Sequence, residues 1–180
     1  GEIQIGLRGT LNPFVKNDAS CISYGAQIRL KVARRINTEF FMDYFPSINK
    51  LNSTRNDIRL GAIALYYPLH EIYTGKECTP YFSLGASATN TSLSNPYITE
   101  INRWSLGLIV GAGLLLHINP KVDFGFVSQY LGQIGSTLKY TSTQTSDVRE
   151  VSSSAAVSKT FYEGQLLFSM SLNYTLGDLW

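Results

Sequence analysis

Charge is scarce in this chain of 180 residues: Asp, Glu, Lys and Arg together make up 16%, against about a quarter in an ordinary soluble domain. With 44% hydrophobic residues, the composition argues against disorder. The formal net charge is only +2 and no block of lysine and arginine occurs, so nucleic acid is not an expected partner. No run of about 18 apolar residues exists, and residues 106–116, the longest candidate, are interrupted by glycines, which excludes a membrane-spanning helix. Histidine and cysteine are each present twice. His70 and His117 have no cysteine or carboxylate at metal-ligand spacing, so they read as turn residues, and neither a metal nor a cofactor is expected. Gly1 is not followed by a charged n-region and an apolar h-region, which fits either a cytosolic chain or one whose secretory leader is already removed.

What is present is alternation. In residues 103–131, Trp104, Leu106, Leu108, Val110, Ala112, Leu114 and Leu116 share one face, and Arg103, Ser105, Gly107, Gly111, Gly113 and His117 share the other. Turn chemistry follows at residues 117–121, after which Val122, Phe124, Phe126 and Tyr130 oppose Asp123, Gly125 and Gln129. The unit reads as an antiparallel hairpin without the continuous apolar run of a strand buried on both faces.

The same pattern recurs along the chain. Strands are expected at about 2–11, 22–33, 38–46, 57–69, 79–90, 103–118, 121–131 and 161–176, forming a single domain. Parity is cleanest in the second strand, with Ile22, Tyr24, Ala26, Ile28, Leu30 and Val32 against Ser23, Gln27, Arg29 and Lys31. Phe41 and Phe45 blur it in the third. Sequential antiparallel strands of this number imply an up-and-down barrel, which removes exposed sheet edges.

Periodicity cannot say which face looks out, but volume can. An eight-stranded barrel has a lumen just wide enough to be filled by side chains. The face rich in Leu, Ile, Phe, Met, Trp and Tyr is too bulky for it, whereas the face rich in Gly and Ser is not. The apolar face therefore points outward, which is tolerable only in lipid, where a closed barrel also satisfies every backbone donor and acceptor. The expected fold class is all-β, an eight-stranded antiparallel transmembrane β-barrel. Outward aromatics gather toward two ends, Tyr24, Tyr44, Trp104, Tyr130 and Tyr162 at one and Phe40, Tyr66, Phe82, Tyr174 and Trp180 at the other, as two interfacial girdles would. Long polar connections lie at residues 12–20, 47–56, 91–102 and 133–160, whereas the turns near Arg34 and His117 are short; long loops outside and short turns in the periplasm is the outer-membrane pattern. The connection at 70–78 is long for a periplasmic turn.

The eight-strand plan, the sequences Tyr81-Phe82-Ser83-Leu84-Gly85 and Gly111-Ala112-Gly113-Leu114, and a last strand with the outward row Met170, Leu172, Tyr174 and Leu176 before Trp180 resemble the small outer-membrane barrels of the OmpA-like and OmpX-like kind. The resemblance covers the whole chain, although Gly177-Asp178 interrupts the usual terminal strand. It implies residence in the outer membrane of a Gram-negative envelope with the leader removed, contact with outer-membrane lipid and lipopolysaccharide, and recognition by the barrel-assembly machinery through Tyr174, Leu176 and Trp180. No peptidoglycan-binding domain follows in this sequence, so an OmpA-style tether is not implied.

Catalysis finds little support. Lipid A deacylases of this size use a lipid-facing Ser and His pair; Ser128 is well placed on the outer face, but position 126 is Phe, leaving no base. The lumen face carries Arg8, Arg29, Lys31, Arg59 and Arg103 with Glu2, Glu39, Asp43, Asp123 and Glu163, and mixed signs favour paired charges over a single-sign conducting ring. The expected pairs are Lys31 with Glu39 and Asp43 with Arg59. Cys21 and Cys78 fall at opposite ends, roughly 30 Å apart across the bilayer, too far for a disulfide. The expected function is a non-enzymatic interaction or structural barrel, with other outer-membrane proteins as partners; a small pore and a lipid-modifying enzyme are the alternatives. The Ser- and Thr-rich residues 141–159 form the most extended candidate docking loop.

Overall fold

The computed structural model describes residues 1–13, 22–48, 54–69, 78–95, 98–136 and 160–178. Eight strands run β1 (Glu2–Leu11), β2 (Ile22–Ala33), β3 (Ile36–Ile48), β4 (Thr54–Tyr66), β5 (Cys78–Asn95), β6 (Ile98–Asn119), β7 (Val122–Ser136) and β8 (Thr160–Asp178). They close in sequence order into an antiparallel barrel, with β1 pairing both β2 and β8. Closure leaves no lateral edge within the wall, the condition for crossing hydrocarbon with strands.

Alternation places the faces as the volumes require. Leu7, Tyr24, Leu84, Trp104, Leu106, Leu108 and Tyr162 are among the exposed large side chains of the outer wall. Arg8, Arg29, Glu39, Asp43, Arg59, Asn173 and many hydroxyl and amide side chains are buried inside. In water a wall of that kind would be an aggregation surface; in a bilayer it is solvated.

Two short turns shape one end. Arg34 and Arg35 alone connect β2 to β3, and Pro120 and Lys121 connect β6 to β7, where the Asn119 side chain accepts a hydrogen bond from the Lys121 amide at 2.9 Å. Such an Asx bond replaces a ladder bond where proline donates none. The start of β1 and the end of β8 lie at this end, where Glu2 pairs with Asp178. The β1–β8 seam there carries a register shift between Ile3 and Gln4, facing Gly177 at φ +154°. That backbone is one L side chains rarely adopt, so the glycine interrupting the last strand is what lets the seam absorb an extra residue.

Several strands are longer than their alternation suggests. β3 starts at Ile36, directly after the turn, and β5, β6 and β7 continue through polar residues that read as loop, to Asn95, from Ile98 and to Ser136. Ser, Thr and Asn are turn-formers by propensity, but a hairpin already nucleated by its wall extends its ladder through them. β4 instead ends at Tyr66, before Pro68.

The lumen is also less polar than expected. Phe41, Ile63, Leu65, Tyr67, Tyr81, Ile109, Leu115, Val127, Leu131 and Leu167 form one buried apolar cluster inside the barrel, mostly on β4 to β7. The signal lay in consecutive apolar residues such as Leu114-Leu115-Leu116, where the middle side chain faces inward; the template hairpin is therefore apolar on part of both faces. Glycines make room for these side chains. A Cβ on Gly113 would stand 2.6 Å from the Tyr81 ring and 2.5 Å from the Phe126 carbonyl oxygen. Gly113→Val is expected to cost about 1–3 kcal/mol by overpacking, read as an earlier midpoint when the reconstituted barrel is unfolded with urea; an unchanged midpoint would show that the lumen yields there.

Candidate functional site: the lumen charge cluster and the inner rim

The inner faces of β1, β2 and β3 bring together two carboxylates and two guanidiniums in the middle of the wall. Arg29 and Glu39 are direct cross-strand partners, and Arg29 donates to Glu39 Oε2 through Nη2 at 2.8 Å and Nε at 3.2 Å. Arg8 reaches from β1 past β2, placing Nη1 3.2 Å from Glu39 Oε1 and Nε 3.0 Å from Asp43 Oδ1. Its guanidinium also lies 4.2 Å from the centroid of the Phe41 ring. Arg59 stands directly across the β3–β4 ladder from Asp43, donates to Thr89 Oγ1 at 3.4 Å, and lies 4.8 Å from the Phe45 ring centroid. Phe41 and Phe45, the residues that break parity in β3, are thus the aromatic faces on which two lumenal arginines rest.

The register corrects one expected pair. Lys31 faces Asn37, not Glu39, because the turn takes only Arg34 and Arg35 and the ladder shifts between Lys31 and Ala33. Lys31 instead reaches Glu2 of the neighbouring strand, at 3.5 Å and half exposed. The shorter turn and this shift together move the partner of Glu39 two positions further from the hairpin end, from Lys31 to Arg29. Arg55 pairs with Asp57 at 3.0 Å toward the outer end.

At the end with the short turns a hydrogen-bonded chain crosses the mouth. Thr79 Oγ1 lies 3.2 Å from His117 Nε2, and His117 Nδ1 lies 2.6 Å from Asp123 Oδ1. Asp123 Oδ2 accepts from Gln4 at 2.9 Å, Gln4 donates to Thr175 Oγ1 at 3.2 Å, and Thr175 donates to Glu2 Oε1 at 3.1 Å. Lys31 continues the chain to β2. A carboxylate-oriented histidine beside a hydroxyl is how nucleophiles are activated, but here the carboxylate's second oxygen ties β7 to β1 and the chain proceeds around the rim, as a staple of the barrel mouth would. His117 was a turn residue by pattern; its partners come from β5 and β7, the two strands that flank β6, and Asp123 carries the chain on to β1.

Of the remaining expected residues, Tyr24 and Tyr44 are cross-strand neighbours on the outer wall with ring centroids 5.5 Å apart. The Tyr130 and Tyr162 hydroxyls meet at 3.2 Å. Trp104, Phe40, Tyr66, Phe82 and Tyr174 are exposed on the same wall, and so is Leu176. Ser128 faces outward between Phe168 and Ala112. Trp180, His70, Cys21 and residues 141–159 lie outside the described residues; Cys78 is a free cysteine. Among the described residues no group of three metal-ligating side chains occurs.

This geometry defines an eight-stranded antiparallel barrel with a lipid-compatible wall and a charged interior, the fold of the small outer-membrane β-barrels. Solved structures agree. Neisserial surface protein A aligns at TM-score 0.59 with 13% identity, covering 96% of this chain and 95% of that one. OprG of Pseudomonas aeruginosa aligns at 0.59 with 15% identity, covering 99% and 97%. The N-terminal β-barrel domain of OprF from the same organism aligns at 0.56 with 15% identity, covering 97% of each. No protein-family model and no curated protein sequence matches the chain.

Proposed function

We propose that the protein is an integral barrel of the bacterial outer membrane, with a side-chain-filled lumen and no catalytic role, that acts by binding other envelope or external components at its outer end. The observation that carries this reading is the height of the β5–β6 hairpin. β5 and β6 remain paired outward to Asn95 and Ile98, and β4 stays paired with β5 out to Thr54 and Ser94. A ladder continued that far carries polar sequence, with Ser94, Asn95, Thr99 and Asn102 in it, to the outer end, where a partner can be recognised. Conduction is disfavoured by the interior, where arginines and carboxylates are interleaved with the apolar cluster and not arranged as a ring of one sign.

In this reading lipopolysaccharide surrounds the outer rim, and the assembly machinery reads the outward row ending at Tyr174, Leu176 and Trp180. Residues 141–159 belong to the same docking surface. Deleting them is expected to leave a folded, heat-modifiable barrel while weakening its copurification with other envelope proteins from native membranes. Unchanged copurification, together with ion flux through the intact barrel in planar bilayers, would favour a small pore.

A further inference from the structure

Three successive outward rows on β3 to β6 change character toward the outer end. In the first, Met42, Leu60 and Leu106 are exposed apolar side chains, with Ala88 between the last two. In the second, Tyr44, Ile58, Asn90 and Trp104 follow one another across the ladders, and Trp104 is 61% exposed. In the third, Asn56, Ser92 and Asn102 are cross-strand neighbours on β4, β5 and β6, with Asn102 exposed. The Tyr44 hydroxyl donates to Asn56 Oδ1 at 3.0 Å, which fixes that amide and leaves its amino group as a donor. Further round the same end the outward side chains include Leu11, Ile22, Tyr24, Ile134 and Tyr162, none of which carries an amide.

Alternate residues of a strand lie about 7 Å apart and three strands span about 10 Å, so the indole and the three amides cover the footprint of one or two sugar rings. An exposed indole face accepts the C–H face of a pyranose, and a primary amide both donates and accepts, as a sugar hydroxyl requires. Neither of these two rows contains the lysine or arginine that a phosphate calls for. A carboxylate further out, such as that of Glu100 two positions along β6, also accepts from sugar hydroxyls, so the fit does not depend on a neutral surround. Depth selects the occupant. The patch faces sideways, directly above the apolar row, so whatever meets it shares the leaflet whose hydrocarbon lies against Leu60 and Leu106. A soluble partner approaches the loop end and not this lateral face.

We infer that the outward face of β4, β5 and β6, with the Trp104 ring and the amides of Asn56, Asn90 and Asn102, binds the core saccharide of the glycolipid whose acyl chains lie along the wall beneath it. The inference rests on the proposed reading of the chain as an outer-membrane barrel with this end facing out, and it assigns one side of the barrel to lipopolysaccharide sugar.

The test uses the full chain refolded in a neutral detergent, with folding read from heat-modifiable gel migration. Lipopolysaccharide carrying only its core saccharide, and lipid A with the same acyl chains and phosphates, are titrated separately, and retained glycolipid per barrel is counted by native mass spectrometry. The wild-type chain is expected to retain the core-bearing form in preference. Each hydrogen bond contributes about fivefold, so N90A/N102A should lower that preference by about twentyfold. W104L should lower it as well, W104Y should keep most of it by keeping a ring, and Y162L, two strands away on β8, should leave it unchanged. Hydroxyl-radical footprinting of the wild-type chain needs no variant to fold: the core-bearing form should protect Trp104 more than lipid A does, and the two should protect Tyr162 alike. Equal retention of the two glycolipids by a folded wild-type barrel, an undiminished preference in N90A/N102A, or a loss as large in Y162L as in W104L would overturn the site alone. A wild-type chain with no heat-modifiable form would overturn the barrel reading and the site with it.

Discussion

Leu108→Arg is expected to cost about 2–4 kcal/mol of folding free energy in a bilayer, because a guanidinium near the midplane of a barrel wall must be dragged into hydrocarbon or pull water to itself. Leu108 is 70% exposed on the outer wall. It sits between Ala86 and Gly132 on the flanking strands, whose small side chains give an arginine no polar partner. Phe168→Arg, two strands further round the wall on β8, should behave alike, whereas Trp104→Arg should cost less, since Trp104 lies toward the outer interface where the penalty falls to about 0–1 kcal/mol. Urea titration of the chains in phospholipid vesicles measures all three. If Leu108→Arg and Trp104→Arg cost the same, the wall is not facing a depth-graded hydrocarbon, and the transmembrane reading loses its basis.

The second large effect lies inside. Glu39 accepts from both Arg29 and Arg8 and is buried at 6% exposure. Removing it by Glu39→Ala leaves two guanidiniums in the barrel interior with their shared counter-charge gone. Breaking a buried ion pair from one side typically costs about 3–5 kcal/mol, more than the pair contributes relative to an apolar replacement. The same titration should therefore show a large loss for Glu39→Ala and a smaller one for Glu39→Ala combined with Arg29→Met, which removes one of the stranded charges and keeps its volume. Equal losses would mean that the guanidiniums find water or other partners, and that the cluster is hydrated and not packed.

These two residues also mark how far the sequence can be read. Leu108 and Glu39 belong to opposite faces by parity alone, and that assignment needs no tertiary knowledge. The identity of Glu39's partner does not follow from parity: Lys31 and Arg29 share a face, and the choice between them depends on how many residues the turn consumes. Phe41 and Phe45 illustrate the same limit. Parity places them inward, against the rule that aromatics of a membrane wall face lipid, and only the positions of Arg8 on β1 and Arg59 on β4 account for them.

The sequence by itself determined the strand count, the alternation, the outward direction of the apolar face and the short turns near Arg34 and Lys121. Each is local, or follows from summed side-chain volume against a lumen of known width. The tertiary structure alone decided what depends on register and closure. It set Arg29 and Arg8 on Glu39, carried the β5–β6 ladder out to Asn95 and Ile98 and gathered the apolar cluster within the lumen. It also assembled Thr79, His117, Asp123 and Gln4 around one mouth. The reason is that each strand's offset against its neighbour is fixed by turn length, bulges and the need for the eighth strand to meet the first, and those conditions act on the whole ring at once.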